Sequence, residues 1–223
     1  IYKNSALCYL VVCVLLFGNL FNQEHAVGIM DLLKSSKLGK RQLAWAKILS
    51  TWIITIIMGL LMYGVLEVSS QIFLDLSGSD TTILMFENAF QIYNFSQINM
   101  QAFLLTMIAG LGCSSLSLFT STLFHKPLHS LMIAGCIFII PQYYSMEIQG
   151  FSLTQLFPSV FVQFQGRIQI MSSPWLVFPN NYAVSRTVGL TCIWGVLCVI
   201  LTLLTWYLHC RKKQNFIRKK GIS

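Results

Sequence analysis

The sequence predicts an all-α membrane protein, and three observations carry that prediction. Of 223 residues, 55% are hydrophobic and only 10% are charged, whereas soluble domains carry about 25% charged residues. Five long apolar runs recur along the chain, each close to the roughly 17–25 residues a spanning helix needs. The charges lie between these runs or near their ends, not at their centres. A soluble domain of this size has too much surface to cover with so few charges, and the mean hydropathy of +0.67 points the same way. These facts exclude a soluble enzyme, a disordered tail and a fibrous protein.

The five expected spans are residues 5–21, 43–68, 100–124, 128–144 and 186–209. Backbone N–H and C=O groups in lipid must be bonded within the segment, so each run should be a helix. The third is rich in small residues: Ala109, Gly110, Gly112, Cys113, Ser114, Ser115 and Ser117. Small side chains let helices approach closely, and tight packing within the bundle is the reading favoured over a substrate path. Pro141 falls near the end of the fourth run and should bend or end it. Six of the seven cysteines sit inside apolar runs and Cys210 ends one. Buried cysteine acts as a small apolar residue, so no disulfide framework is expected.

Orientation follows from the basic residues. In an alternating five-span layout, twelve of the fifteen lie on one side: Lys34, Lys37, Lys40, Arg41 and Lys47; then Lys126; then Arg211, Lys212, Lys213, Arg218, Lys219 and Lys220. Five of the seven acids lie on the other. The basic side should be cytoplasmic, with the N-terminus of this chain outside and a basic cytoplasmic tail at 210–223. The net charge of +8 is then a signature of topology, not of a nucleic-acid surface. The chain begins with Ile1. An outside N-terminus with no signal peptide leads to the expectation of a further, upstream span, giving six with both ends inside.

The connecting segments differ in kind. The outer loop 69–99 is mixed, with a turn-like DLSGSD before an amphipathic stretch. The outer loop 145–185 holds FSLTQLFPSVFVQF and SSPWLVFPNNY, interrupted by Pro158, Pro174 and Pro179. Short interfacial or re-entrant helices are expected there, since Trp and Tyr favour the headgroup zone. No nucleotide-binding GxxxxGK[ST] loop and no HExxH motif occurs. His125 and His129 are four apart, but Pro127 intervenes and no third ligand is evident. No acid lies mid-span, which counts against a proton-coupled carrier. No metal, cofactor or catalytic residue is therefore expected.

The informative segment is the first cytoplasmic loop, 22–42. Ala26, Ile29, Met30 and Leu33 repeat at helical spacing. Ser35, Ser36 and Gly39 allow a turn, and Lys40, Arg41 and Lys47 lead into the second span. From the residues alone, this is either a rigid projection below the membrane or an interfacial helix on anionic lipid.

The string Glu24-x-x-x-Gly28-Ile-Met-Asp-Leu-Leu, then Ser35-Ser36, then Gly39-Lys40-Arg41 and Lys47, resembles the loop after the second span of type-2 ABC exporter permeases, most closely those of Gram-positive bacteria. The resemblance would cover the whole chain, lacking the family's first span and first outer loop. It implies a permease in a bacterial plasma membrane, a second permease subunit, and a separate ATPase docked on this loop as a coupling helix. It places Glu24 and Gly28 at the hinge, Asp31, Leu32, Leu33, Ser35 and Ser36 toward the ATPase, and Gly39, Lys40, Arg41 and Lys47 at the return into the membrane. Two other classes stay open: a non-ABC channel or secondary carrier, and a membrane assembly or immunity protein without transport.

Overall fold

A computed structural model describes residues 2–22, 39–74, 95–124, 126–143, 147–148, 151–152, 157–158, 175–177 and 183–220. Five helices stand where the five apolar runs predict them: α1 (Tyr2–Phe17), α2 (Gly39–Leu74), α3 (Phe95–Leu123), α4 (Pro127–Tyr143) and α5 (Arg186–Lys220). Three contain stretches long and apolar enough to cross a membrane, Arg41–Ser69, Asn99–Leu123 and Thr187–Cys210. The apolar stretches Ser5–Phe17 and Pro127–Phe138 are shorter. The chain is a helical, membrane-embedded protein.

Three helices overrun the expected spans, α3 by starting at Phe95, five residues before its apolar run. The 36 residues of α2 extend about 54 Å at 1.5 Å per residue, well beyond a hydrocarbon core of about 30 Å. Its start at Gly39 takes residues 39–42 out of the expected loop. The backbone of α5 continues as helix through the basic tail to Lys220. Pro127 opens α4, where its missing N–H costs nothing, and Pro141 falls in the last turn, as expected.

The segment 145–185, before α5, departs from expectation. Strands β1 (Glu147–Ile148) and β2 (Phe151–Ser152) pair antiparallel, as do β3 (Trp175–Val177) and β4 (Ala183–Ser185). Trp175 to Val177 were expected in a short helix. The flanking Pro174 and Pro179 disfavour helix, and Trp and Val suit an extended ribbon. The remainder of 145–185 lies outside the described residues, apart from 157–158.

Helix α3 is the hub and packs on each of the other four helices. Of its most apolar 18 residues 61% are buried, against 22% in α2 and 28% in α5. The core gathers Tyr9, Cys13 and Phe17 of α1, Ile48 of α2, Leu105, Ala109, Cys113 and Leu118 of α3, and Leu190 and Trp194 of α5. The small-residue stripe of α3 makes this possible. Ala109, Cys113, Ser114, Ser115 and Ser117 are fully buried. A β-carbon at Gly110 would collide with the ring and hydroxyl of Tyr9, and one at Gly112 would lie 2.5 Å from the Trp194 ring. The expectation of tight packing is met.

Several buried hydroxyls bond carbonyls of their own helices. Thr55 Oγ1 donates to Thr51 O (2.7 Å), Thr106 to Ala102 O (2.7 Å), Ser117 to Cys113 O (2.8 Å) and Thr205 to Leu201 O (2.7 Å). Such i−4 bonds let small polar residues face a neighbouring helix without an unpaired group. The Tyr9 hydroxyl instead crosses between helices, donating to Thr55 O at 2.9 Å. All seven cysteines are free thiols. Large exposed apolar side chains, among them Leu15, Ile53, Leu61, Val196 and Leu203, form the lipid-facing surface.

Candidate functional site: the root of the first loop

The segment that follows α1 is hydrogen-bonded to three other helices and packs on a fourth. Beyond Phe17 the chain winds through residues 18–22, held by Leu20 N–H to Phe17 O (3.3 Å) and Asn22 N–H to Asn19 O (3.1 Å). The end of a helix leaves carbonyls without intrahelical donors, and each needs a partner when buried. Here neighbouring helices supply them. Lys47 Nζ of α2 donates to Leu20 O at 3.0 Å. Ser130 Oγ of α4 donates to Gly18 O at 2.8 Å and lies 3.3 Å from Thr120 Oγ1 of α3.

The remaining ties come from α3 and α5. Phe21 N–H donates to Ser121 Oγ at 3.0 Å. With the amide of Asn22 oriented by its surroundings, its Nδ2 donates to Ser121 O (3.0 Å) and Phe124 O (2.6 Å). The Phe21 ring packs against Lys47 Nζ, 4.9 Å from its centroid, and against the His209 ring of α5, 5.0 Å away. Phe21, Asn22, Thr120, Ser121 and Ser130 are all buried. Gly18 admits this packing, since a β-carbon there would lie 2.6 Å from Leu131 Cδ2.

Of the residues singled out from sequence, Glu24, Gly28, Asp31, Leu32, Leu33, Ser35 and Ser36 lie outside the described residues. Gly39 and Lys40 form the first turn of α2. Arg41 and Lys47 share that helix but diverge. Six residues apart at 100° each, they point about 120° away from one another. Arg41 lies over the Trp206 ring of α5, 5.6 Å from its centroid, while Lys47 turns to the end of α1. The two are thus not one basic patch; each fastens α2 to a different helix. His129 is exposed at the start of α4. Among the described residues, no group of three His, Cys, Asp or Glu side chains is placed to hold a metal ion.

Sequence reasoning missed Asn22, Ser121 and Ser130. The available signal was weak but present: polar residues at the ends of three apolar runs, at Asn22, at Thr120–Ser121–Thr122 and at Ser130. Nothing in the sequence pairs them with one another, because their partners are mostly backbone atoms about 100 residues away.

The fold and this junction define a membrane-embedded helical protein whose first loop springs from a hydrogen-bonded knot of helix ends. No protein-family model, curated protein or solved structure matches the chain.

Proposed function

We propose that this chain is the membrane-spanning subunit of an ATP-driven ABC export system. In this reading five helices cross the bacterial plasma membrane, the basic loops and the C-terminus face the cytoplasm, and the N-terminus of this chain faces out. A second permease copy or homologue completes the path. A separate ATPase docks on the first loop, 22–42, through Asp31, Leu32, Leu33, Ser35 and Ser36, and this chain carries no catalytic residue, metal or cofactor of its own.

The observation that supports this reading is the fastening at the loop's root. A lever works only if force on it reaches the body it is to move, which requires stiff coupling at the hinge. Lys47, Ser121 and Ser130 tie the chain just before the loop to α2, α3 and α4. On the loop's C-terminal side, α2 begins at Gly39. A push on the loop would be passed to four helices together. An interfacial helix lying passively on lipid has no need of such a root.

Deleting Asp31 through Ser36 from the full chain tests the proposal. Membrane insertion should persist, while co-isolation of an ATPase subunit and membrane-dependent ATP turnover should be lost. Persistence of both would overturn the assignment. The channel and assembly-protein alternatives predict that no ATPase co-isolates with either form.

A further inference from the structure

On the side of α2 away from the knot lies a groove of about 590 Å³, lined by Arg41, Gln42, Trp45, Ala46, Leu49 and Trp206. We infer that it is a binding site for one anionic phospholipid. The argument rests on the membrane reading and its orientation, not on the ATPase.

The lining is ordered along the membrane normal in the way a phospholipid is. Arg41 is exposed at the start of the spanning stretch of α2. Trp45 and Trp206 come next, their rings 6.2 Å apart, at the depth where aromatic side chains meet headgroups. Ala46 and Leu49 lie deeper, Leu49 about 12 Å beyond Arg41 along the helix axis. A phosphate would sit at Arg41, the glycerol backbone beside the two indoles, and an acyl chain along Ala46 and Leu49.

The geometry of Arg41 leaves it free to bind. A guanidinium has five N–H donors around its edge and an apolar face. Arg41 Cζ lies over the Trp206 ring at 5.6 Å from its centroid, and the guanidinium edge carries donors that a phosphate can take in a bidentate pair. Glu67, the nearest described acid on α2, is 26 residues away, about 39 Å along the axis, so it does not compete. Arg41 is the charged member of the lining, so the groove carries a cation and no acid. In sequence, Lys40 precedes Arg41, and Arg211, Lys212 and Lys213 follow Trp206 by five to seven residues.

The test uses the full chain in phosphatidylcholine vesicles, with Trp52, Trp175 and Trp194 replaced by Phe so that Trp45 and Trp206 report. Brominated phosphatidylglycerol should quench these indoles with about fivefold preference over brominated phosphatidylcholine, the preference one basic contact supplies. Arg41→Gln should bring the preference to about one, and Arg41→Lys, which keeps the charge but loses the bidentate edge, should keep only part of it. Native mass spectrometry of the unmodified chain should show one retained anionic lipid that Arg41→Gln loses, which guards against misfolding of the reporter. Equal quenching by both lipids would mean an ordinary lipid annulus and would overturn the proposal. Absence of quenching by either would mean that protein covers the groove. Relief of quenching by millimolar inorganic phosphate would mean a free-anion site. Each of these last two results would also overturn it.

Discussion

Helices α2 and α3 are both long and apolar enough to cross a membrane, yet 61% of the most apolar stretch of α3 is buried against 22% of that of α2. Apolarity therefore does not decide which helix becomes the hub. In lipid it offers no drive for helix association, because the acyl chains are as apolar as the side chains. Side-chain size decides. Along α3, Ala109, Gly110, Gly112, Cys113, Ser114, Ser115 and Ser117 let Tyr9 and Trp194 reach the backbone. Along α2, Ile53, Ile57, Leu60 and Leu61 point outward. Its inward face is narrow, with Ala44, Ile48, Thr51, Thr55 and Gly59 at helical spacing.

Glycine substitutions break this contrast most strongly. Gly110→Ala should destabilise the fold by about 3 kcal/mol, the upper range for overpacking, because the added methyl meets Tyr9, which is itself bonded to Thr55 O. Thermal unfolding of the purified chain in nanodiscs would measure it, and Tyr9→Leu in the same chain should recover part of the loss. Gly112→Ala should cost about 2 kcal/mol, since the Trp194 ring has to shift away from α3. Lys47→Met comes next. It leaves Leu20 O without its Lys47 donor and removes the cation from the Phe21 face, for about 1–2 kcal/mol. Faster amide exchange at Phe21 and Asn22 would report that loss locally. The smallest effect belongs to the exposed side of the comparison. A β-carbon at Gly64 of α2 or Gly195 of α5 meets nothing, so Ala there should be neutral or stabilising by up to about 1 kcal/mol. Equal losses at Gly110 and Gly64 would show that helix propensity, not packing space, governs these positions.

How much of this was legible follows from the same contrast. The five helices were readable because a run of apolar residues free of charge has few alternatives in a bilayer. The close packing of the third span was readable because small residues cluster there. Which helices those small residues would receive was not, since helices apolar all round show little directional pattern. At the loop root, Lys47 was readable as a basic residue near the membrane surface. Its target was not, because Leu20 O is a backbone atom 27 residues away with no side-chain signature. The β3–β4 ribbon was missed for a different reason. Its apolar WLV was read by composition as interfacial helix, while the prolines on either side carried the correct signal.

The claim that the loop acts as a lever through its root is tested most directly by comparing three forms of the chain in nanodiscs with the ATPase subunit: the unmodified chain, Lys47→Met and Lys47→Arg. Lys47→Met leaves residues 22–42 unchanged in sequence, so the ATPase should still co-isolate. Its membrane-dependent ATP turnover should fall severalfold, and Lys47→Arg, which keeps the cation and a donor for Leu20 O, should restore most of it. Unchanged turnover in Lys47→Met, with the ATPase bound, would contradict the account.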